Sequence, residues 1–165
     1  SSDLTLYAKW HDKGSAYPYI FDEYLSKIIE DHILKEKIVK NCVNIYRNSK
    51  PNLIIDNNVE KILDEFKDNY LLFLVSDGFE NLQIKKFESL KLNRWFNEDK
   101  VFFTGKHGKN FYKPSIKIKE DPLFSEMDLN FKNTVYFGDR ENDELFAKKM
   151  KFEFIKVKNM KIVNE

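Results

Sequence analysis

The chain has 165 residues and a mass of 19.8 kDa, which suits one ordinary domain carrying a small insertion and is long enough to bury a core. Its 28 Lys and Arg face 27 Asp and Glu, so a formal charge of +1 supplies no general pull toward nucleic acid or an anionic membrane. Cys42 is the single cysteine, which excludes an internal disulfide and a cysteine-based zinc cluster, and no apolar run approaches the roughly 20 residues that cross a bilayer. The expectation is a protein of the reducing cytoplasm, with core volume supplied by Phe and Tyr.

In chain order, Tyr17 to Arg47 has helical periodicity: Ile20, Tyr24, Ile28 and Ile29, then Ile38, Val39, Cys42, Val43 and Tyr46. Two helices in a hairpin account for it. Pro51 interrupts the pattern, and a further amphipathic helix runs through Val59, Ile62, Leu63 and Phe66, its start marked by Asp56, Asn57 and Asn58. The period then changes. Leu71 to Val75 is a continuous apolar run of strand length that ends in Ser76-Asp77-Gly78, and a helix through Phe79, Leu82, Phe87 and Leu90 follows. Val101-Phe102-Phe103 reads as a second strand and Ile116 to Phe124 as a helix. Val135-Tyr136-Phe137 reads as a third strand, Leu145 to Met150 continues a helix, and Phe152 to Val157 supplies a last strand. This alternation predicts an α/β fold, a Rossmann-like parallel sheet flanked by helices. The helical run before Leu71 reads as an all-helical insertion over residues 13–67, with the core formed by 1–12 and 68–165.

Four elements stand after strands or in the loops between them, where α/β sheets bind ligands. They are Asp3 near the amino end, Ser76-Asp77-Gly78, the pair Lys113-Pro114, and two carboxylates four residues apart, Asp139 and Asp143. Such a set describes a phosphoryl site. Carboxylates hold a hard cation that offsets phosphate charge, a serine hydroxyl and backbone N–H groups bind phosphate oxygens, and a lysine stabilises charge in the transition state. Each element also has an ordinary structural use: Ser76 as a turn or cap residue, Lys113 as a solvated lysine, Asp139 and Asp143 as charges in the first turn of a helix.

On these residues the chain resembles the haloacid dehalogenase-like superfamily of phosphohydrolases, in its subclass with a helical cap inserted after the first motif. Leu71 to Gly78 is similar to the family's second motif, Lys113-Pro114 to the third, and Gly138-Asp139-Arg140 with Asp143 to the fourth. Gln83, the Leu90 to Leu92 stretch, Phe96 and Val101 to Gly105 fit the usual connection. The resemblance implies Mg2+-dependent hydrolysis of a small phosphorylated metabolite through an aspartyl-phosphate. It implies Asp3 as general acid and base, Ser76 and Lys113 as orienting groups, Ser76, Asp77, Gly78 and Lys113 around the phosphate, and Asp3, Asp139 and Asp143 around the metal. The helical insertion would cover the site, with Tyr17, Tyr19 and Tyr24 either lining it or packing its interior.

The first motif departs from the pattern. The family carries Asp-x-Asp-x-Thr-Leu with the first aspartate as nucleophile; anchoring on Thr5 and Leu6 puts Asp3 at the second aspartate and Ser1 at the first. A serine there has no carboxylate and no evident base to activate it. The apolar strand that normally precedes the motif is not in the chain either, so the expected sheet lacks its central strand and leaves two unpaired edges. Either the chain is a truncated or engineered form of an active enzyme, or it is an inactive phosphate-binding or scaffolding homologue. A phosphomutase would share the covalent chemistry; a receiver-type signalling domain would lack the helical insertion. Of the histidines, His11 and His32 fall in or beside that insertion, and His107 lies in a glycine-flanked loop; they lack metal-ligand spacing.

Overall fold

The computed structural model describes residues 6, 8, 9, 12, 13, 17–130 and 132–157. Asp3, Ser1 and His11, and with them the whole first-motif reading, lie outside the described residues. The helical hairpin is present as α1 (Ile20–Leu25) and α2 (His32–Asn48), packed on each other. Asp31 starts α2 by accepting the N–H groups of Ile33 and Leu34 at 2.9 and 3.0 Å, which satisfies donors left over in the first turn. The stripe of Ile38, Val39, Cys42, Val43 and Tyr46 is half-buried. Tyr19 is exposed and Tyr17 packs edge-on against it while donating to Glu23.

Helix α3 (Asn57–Asn69) begins at the predicted signal, with the Asp56 carboxylate accepting from Asn58 N at 2.8 Å. Its outer face is charged and two of those charges tie it to the rest of the molecule. Asp64 accepts the indole N–H of Trp95 at 2.8 Å, and Glu60 holds Arg94 at 2.6 Å while the guanidinium covers the Trp95 ring at 4.1 Å. Phe66 packs on Phe137 from the other side. Trp95 is buried, so its N–H requires a partner. Trp95→Phe keeps most of the apolar burial and removes the bond to a carboxylate; it should lower stability by about 1.5–3 kcal/mol, read from the urea midpoint.

Four short strands follow: β1 (Leu74–Ser76), β2 (Val101–Phe103), β3 (Val135–Gly138) and β4 (Glu153–Lys156). All the pairing is parallel. Leu74 stands opposite Val101 and Ser76 opposite Phe103, and Val135 stands opposite Glu153 and Gly138 opposite Lys156. The α/β class is therefore as expected, but the strands form two separate parallel pairs, and among the described residues β1 and β3 are not hydrogen-bonded to each other. What joins the two pairs is an aromatic core: Phe73 rings lie 6.0 Å from Phe124, 6.4 Å from Tyr136 and 6.3 Å from Phe152, over fully buried Phe146. Each such ring contributes about 1.5–3 kcal/mol by leaving water.

Helix α4 (Glu80–Ser89) follows β1, and α6 (Glu141–Met150) connects β3 to β4, burying Asp143, Phe146, Ala147 and Met150. The helix expected over Ile116 to Phe124 is a correction. The segment is a short 3-10 turn, Lys117–Glu120, then α5 (Pro122–Ser125). Proline cannot supply the N–H that a continuing helix needs, and Asp121 instead caps α5 through Leu123 N at 2.9 Å. The strand expected from Leu71 likewise begins only at Leu74, with Leu71 exposed.

Candidate active site

Strand β1 ends at Ser76, and the next three residues turn sharply. Gly78 takes φ +127°, and Gly105, just beyond β2, lies so close that a Cβ there would stand 1.8 Å from the Gly78 carbonyl oxygen. Two loops thus meet backbone to backbone. Thr104, fully buried, donates its hydroxyl to Asp77 Oδ1 at 2.7 Å, and the Lys113 backbone N–H donates to Asp77 Oδ2 at 3.1 Å. Asp77 therefore fastens the loops after β1 and β2 to the segment carrying Lys113. The Ser76 hydroxyl donates to Gln83 Oε1 at 2.9 Å, and the N-cap position of α4 belongs to Phe79, so Ser76 is not the helix cap.

Lys113 crosses the gap between the strand pairs. Its ammonium donates to Val75 O of β1 at 3.2 Å and to the Tyr136 hydroxyl of β3 at 3.2 Å, and forms an ion pair with Asp143 Oδ1 at 2.7 Å. It is not a solvated surface lysine: its side chain is only 11% exposed and that of Asp143 10%. Burial works against the Lys113 charge, but the Tyr136 phenol oxygen and the Asp77 and Asp143 carboxylates outweigh it and hold the pKa above the ordinary lysine range. Burial likewise raises the pKa of Tyr136, with Lys113 opposing it.

Asp143 has the helix-start role that one reading of the sequence gave it, and it also pairs with Lys113. Its Oδ2 accepts the Arg140 N–H at 3.2 Å, capping the first turn of α6, while Oδ1 holds Lys113. Gly138 makes room for it, since a Cβ at that position would lie 2.4 Å from Asp143 Cβ. Asp139, at the carboxyl end of β3, is exposed and has no hydrogen bond or ion pair among the described residues. No three His, Cys, Asp or Glu side chains converge into a metal cage among the described residues. Mg2+ keeps most of its waters and takes one or two carboxylates together with substrate phosphate, so the residue type of Asp139 and Asp143 is compatible with such an ion.

Burial pushes the Asp77 carboxyl above its ordinary value, against the opposing pull of Lys113 and Thr104. A folded-state pKa above the unfolded one means the native state holds the proton more tightly, so Asp77 costs stability as pH rises from near 3.8 through its folded value. Wild type should therefore lose stability relative to Asp77→Asn over that interval, in urea midpoints measured from pH 3 to 7.

Ser76, Asp77, Gly78, Lys113 and Asp143 are brought together by direct bonds or chain neighbourhood, and Asp139 stands at the adjoining strand end. Thr104, Tyr136 and Gln83 join them; the first two were read only as strand or loop residues. His107 does not join. It stacks on Phe111 at 4.8 Å, lies 3.5 Å from Asp121, and borders a separate hollow lined by Ile84, Phe87 and Phe103.

The family model for haloacid dehalogenase-like hydrolases matches residues 17–157. The chain belongs to that family. The match spans both strand pairs, the Ser76 turn, Lys113 and the acids after β3. A search of curated proteins finds no match. Among the described residues, no helix of this hydrolase-family chain is long and apolar enough to cross a membrane.

Proposed function

We propose that the protein is a Mg2+-dependent phosphatase acting on a small phosphate monoester through an aspartyl-phosphate. The observation that carries this reading is the buried Lys113 ammonium between β1 and β3, paired with Asp143 and carried by the residue whose backbone N–H holds Asp77 of the Ser76-Asp77-Gly78 turn. A fixed cation beside a hydroxyl and a turn rich in backbone N–H groups is suited to a phosphoryl group, because charge that develops there meets donors already in place. Asp139 and Asp143 would hold the Mg2+, with Asp3 as a further ligand. Bound there, the cation would offset phosphate charge that the lysine alone does not balance.

In this reading the chain's own residues divide the work. Ser76 exchanges its bond to Gln83 for a phosphate oxygen, and Lys113 stabilises the negative charge of the transferring group. Gly78, lacking a side chain, lets the backbone approach that group. Asp77 stays fastened to Thr104 and Lys113 N and keeps the turn in position. An aspartate at the position of Ser1 would attack phosphorus and expel the leaving oxygen, which Asp3 would protonate; Asp3 would then activate the water that cleaves the aspartyl-phosphate. The insertion over 13–67 covers the site and excludes bulk solvent, with α3 as its anchored end through Trp95 and Arg94. The setting is cytoplasmic, without nucleic acid or membrane as partner.

Ser1 at the place of the nucleophilic aspartate favours a second reading, a phosphate-binding or scaffolding protein without turnover. The encoding sequence upstream of Asp3, followed by a phosphate-release screen over many monoesters with and without Mg2+, separates the two. Metal-dependent release from a form with aspartate two positions before Asp3 supports the phosphatase. A native serine there and no release across the panel would refute it.

A further inference from the structure

An ammonium has three hydrogens. In Lys113 all three are engaged, by Asp143 Oδ1 at 2.7 Å, Val75 O at 3.2 Å and the Tyr136 hydroxyl at 3.2 Å. A phosphoryl oxygen that binds Lys113 must therefore displace one of these acceptors. The three are not equal. Asp143 forms the shortest, charge-assisted contact, and giving it up would separate two buried opposite charges. Val75 O is a main-chain carbonyl of β1 and cannot turn away without moving the strand. The Tyr136 hydroxyl is neutral, its contact is longer, and its O–H rotates to suit a new arrangement. The Tyr136 ring itself is fixed, buried against Phe146 at 5.2 Å and Phe73 at 6.4 Å.

We propose that Tyr136 is a placeholder: its hydroxyl occupies one Lys113 hydrogen while the site is empty and releases it when a phosphoryl oxygen arrives. Tyr136 is thus a positioning residue acting through Lys113. It keeps the buried ammonium satisfied in the resting protein and competes with the anion for it. The inference rests on the phosphate-site reading above.

The distinguishing consequence is that stability and affinity move in opposite directions. Tyr136→Phe leaves the ring packing and removes the competing acceptor. The variant should unfold at lower urea concentration than wild type yet bind inorganic phosphate about tenfold more tightly, the low end for one hydrogen bond from a charged donor, in isothermal titration calorimetry. Lys113→Met should weaken phosphate binding at least about tenfold. A purely structural tyrosine would give weaker binding along with the lower stability. Should Tyr136→Phe not fold, wild type carrying 13C-labelled tyrosine decides the matter, because the Tyr136 Cζ resonance must shift as phosphate saturates the site. Equal or weaker phosphate binding by folded Tyr136→Phe, or an unmoved resonance at saturation, overturns the placeholder alone. No phosphate binding by wild type, or binding unaffected by Lys113→Met, overturns the phosphate site and the placeholder with it.

Discussion

Lys113→Ala is expected to destabilise the protein by about 3–5 kcal/mol, because it leaves the Asp143 carboxylate buried without its counter-ion. The loss has two further parts. The ammonium is the group that spans β1 and β3 through Val75 O and Tyr136, so the two strand pairs lose their polar link. The Asp77 carboxyl, already raised by burial, loses the positive charge that opposes the rise. Lys113→Met restores most of the volume and none of the charge, so it should remain destabilised and thereby separate electrostatics from packing. In an active form, either change should also lower kcat by about 10²–10³, the scale of removing one preorganised charge-stabilising donor. Urea midpoints check the first effect and steady-state kinetics the second. Full stability in Lys113→Met would contradict the assignment of a buried ion pair.

Gly105→Ala is expected to be as severe from a single methyl group. A Cβ at that position would stand 1.8 Å from the Gly78 carbonyl oxygen and 3.2 Å from Glu80 N, and both neighbours are backbone. Rotamer changes cannot relieve such an overlap, so the loops after β1 and β2 must separate. The cost should reach about 3 kcal/mol, the upper range for overpacking, with a fall in Tm of roughly 10 °C. Separation would also pull Thr104 from Asp77 and displace the Ser76-Asp77-Gly78 turn. Phosphate affinity should therefore fall together with stability, unlike the opposed changes expected of Tyr136→Phe. Calorimetric unfolding and phosphate titration on the same sample check both.

Much of this molecule was legible because its signals are local. Asp56 marks a helix start through its own side chain, and the runs around Val75, Phe102 and Tyr136 carry the strand pattern. The family-like motifs placed Ser76, Lys113 and Asp143 at loops or helix starts beside the strands. Less legible were features whose cause lies elsewhere in the chain. Tyr136 sits in an apolar run and reads as core, which it is; only the arrival of Lys113, 23 residues earlier in sequence, gives its hydroxyl a partner. Thr104 follows a strand like many threonines, and its bond to Asp77 spans 27 residues. Ile116 to Phe124 has apolar residues enough for a helix, but Pro122 outweighs the pattern.

Composition, period and spacing were sufficient for the α/β class and the helical segment before β1, since each depends on neighbours a few positions away. Three-dimensional packing alone decided that the strands stand as two parallel pairs, that Lys113 is buried between them, and that Asp143 both caps α6 and holds that lysine. The physical reason is range. Backbone hydrogen bonding and amphipathicity act over one or two turns of chain, whereas the partner of a buried charge is whichever group the fold brings within about 3 Å, however distant in sequence.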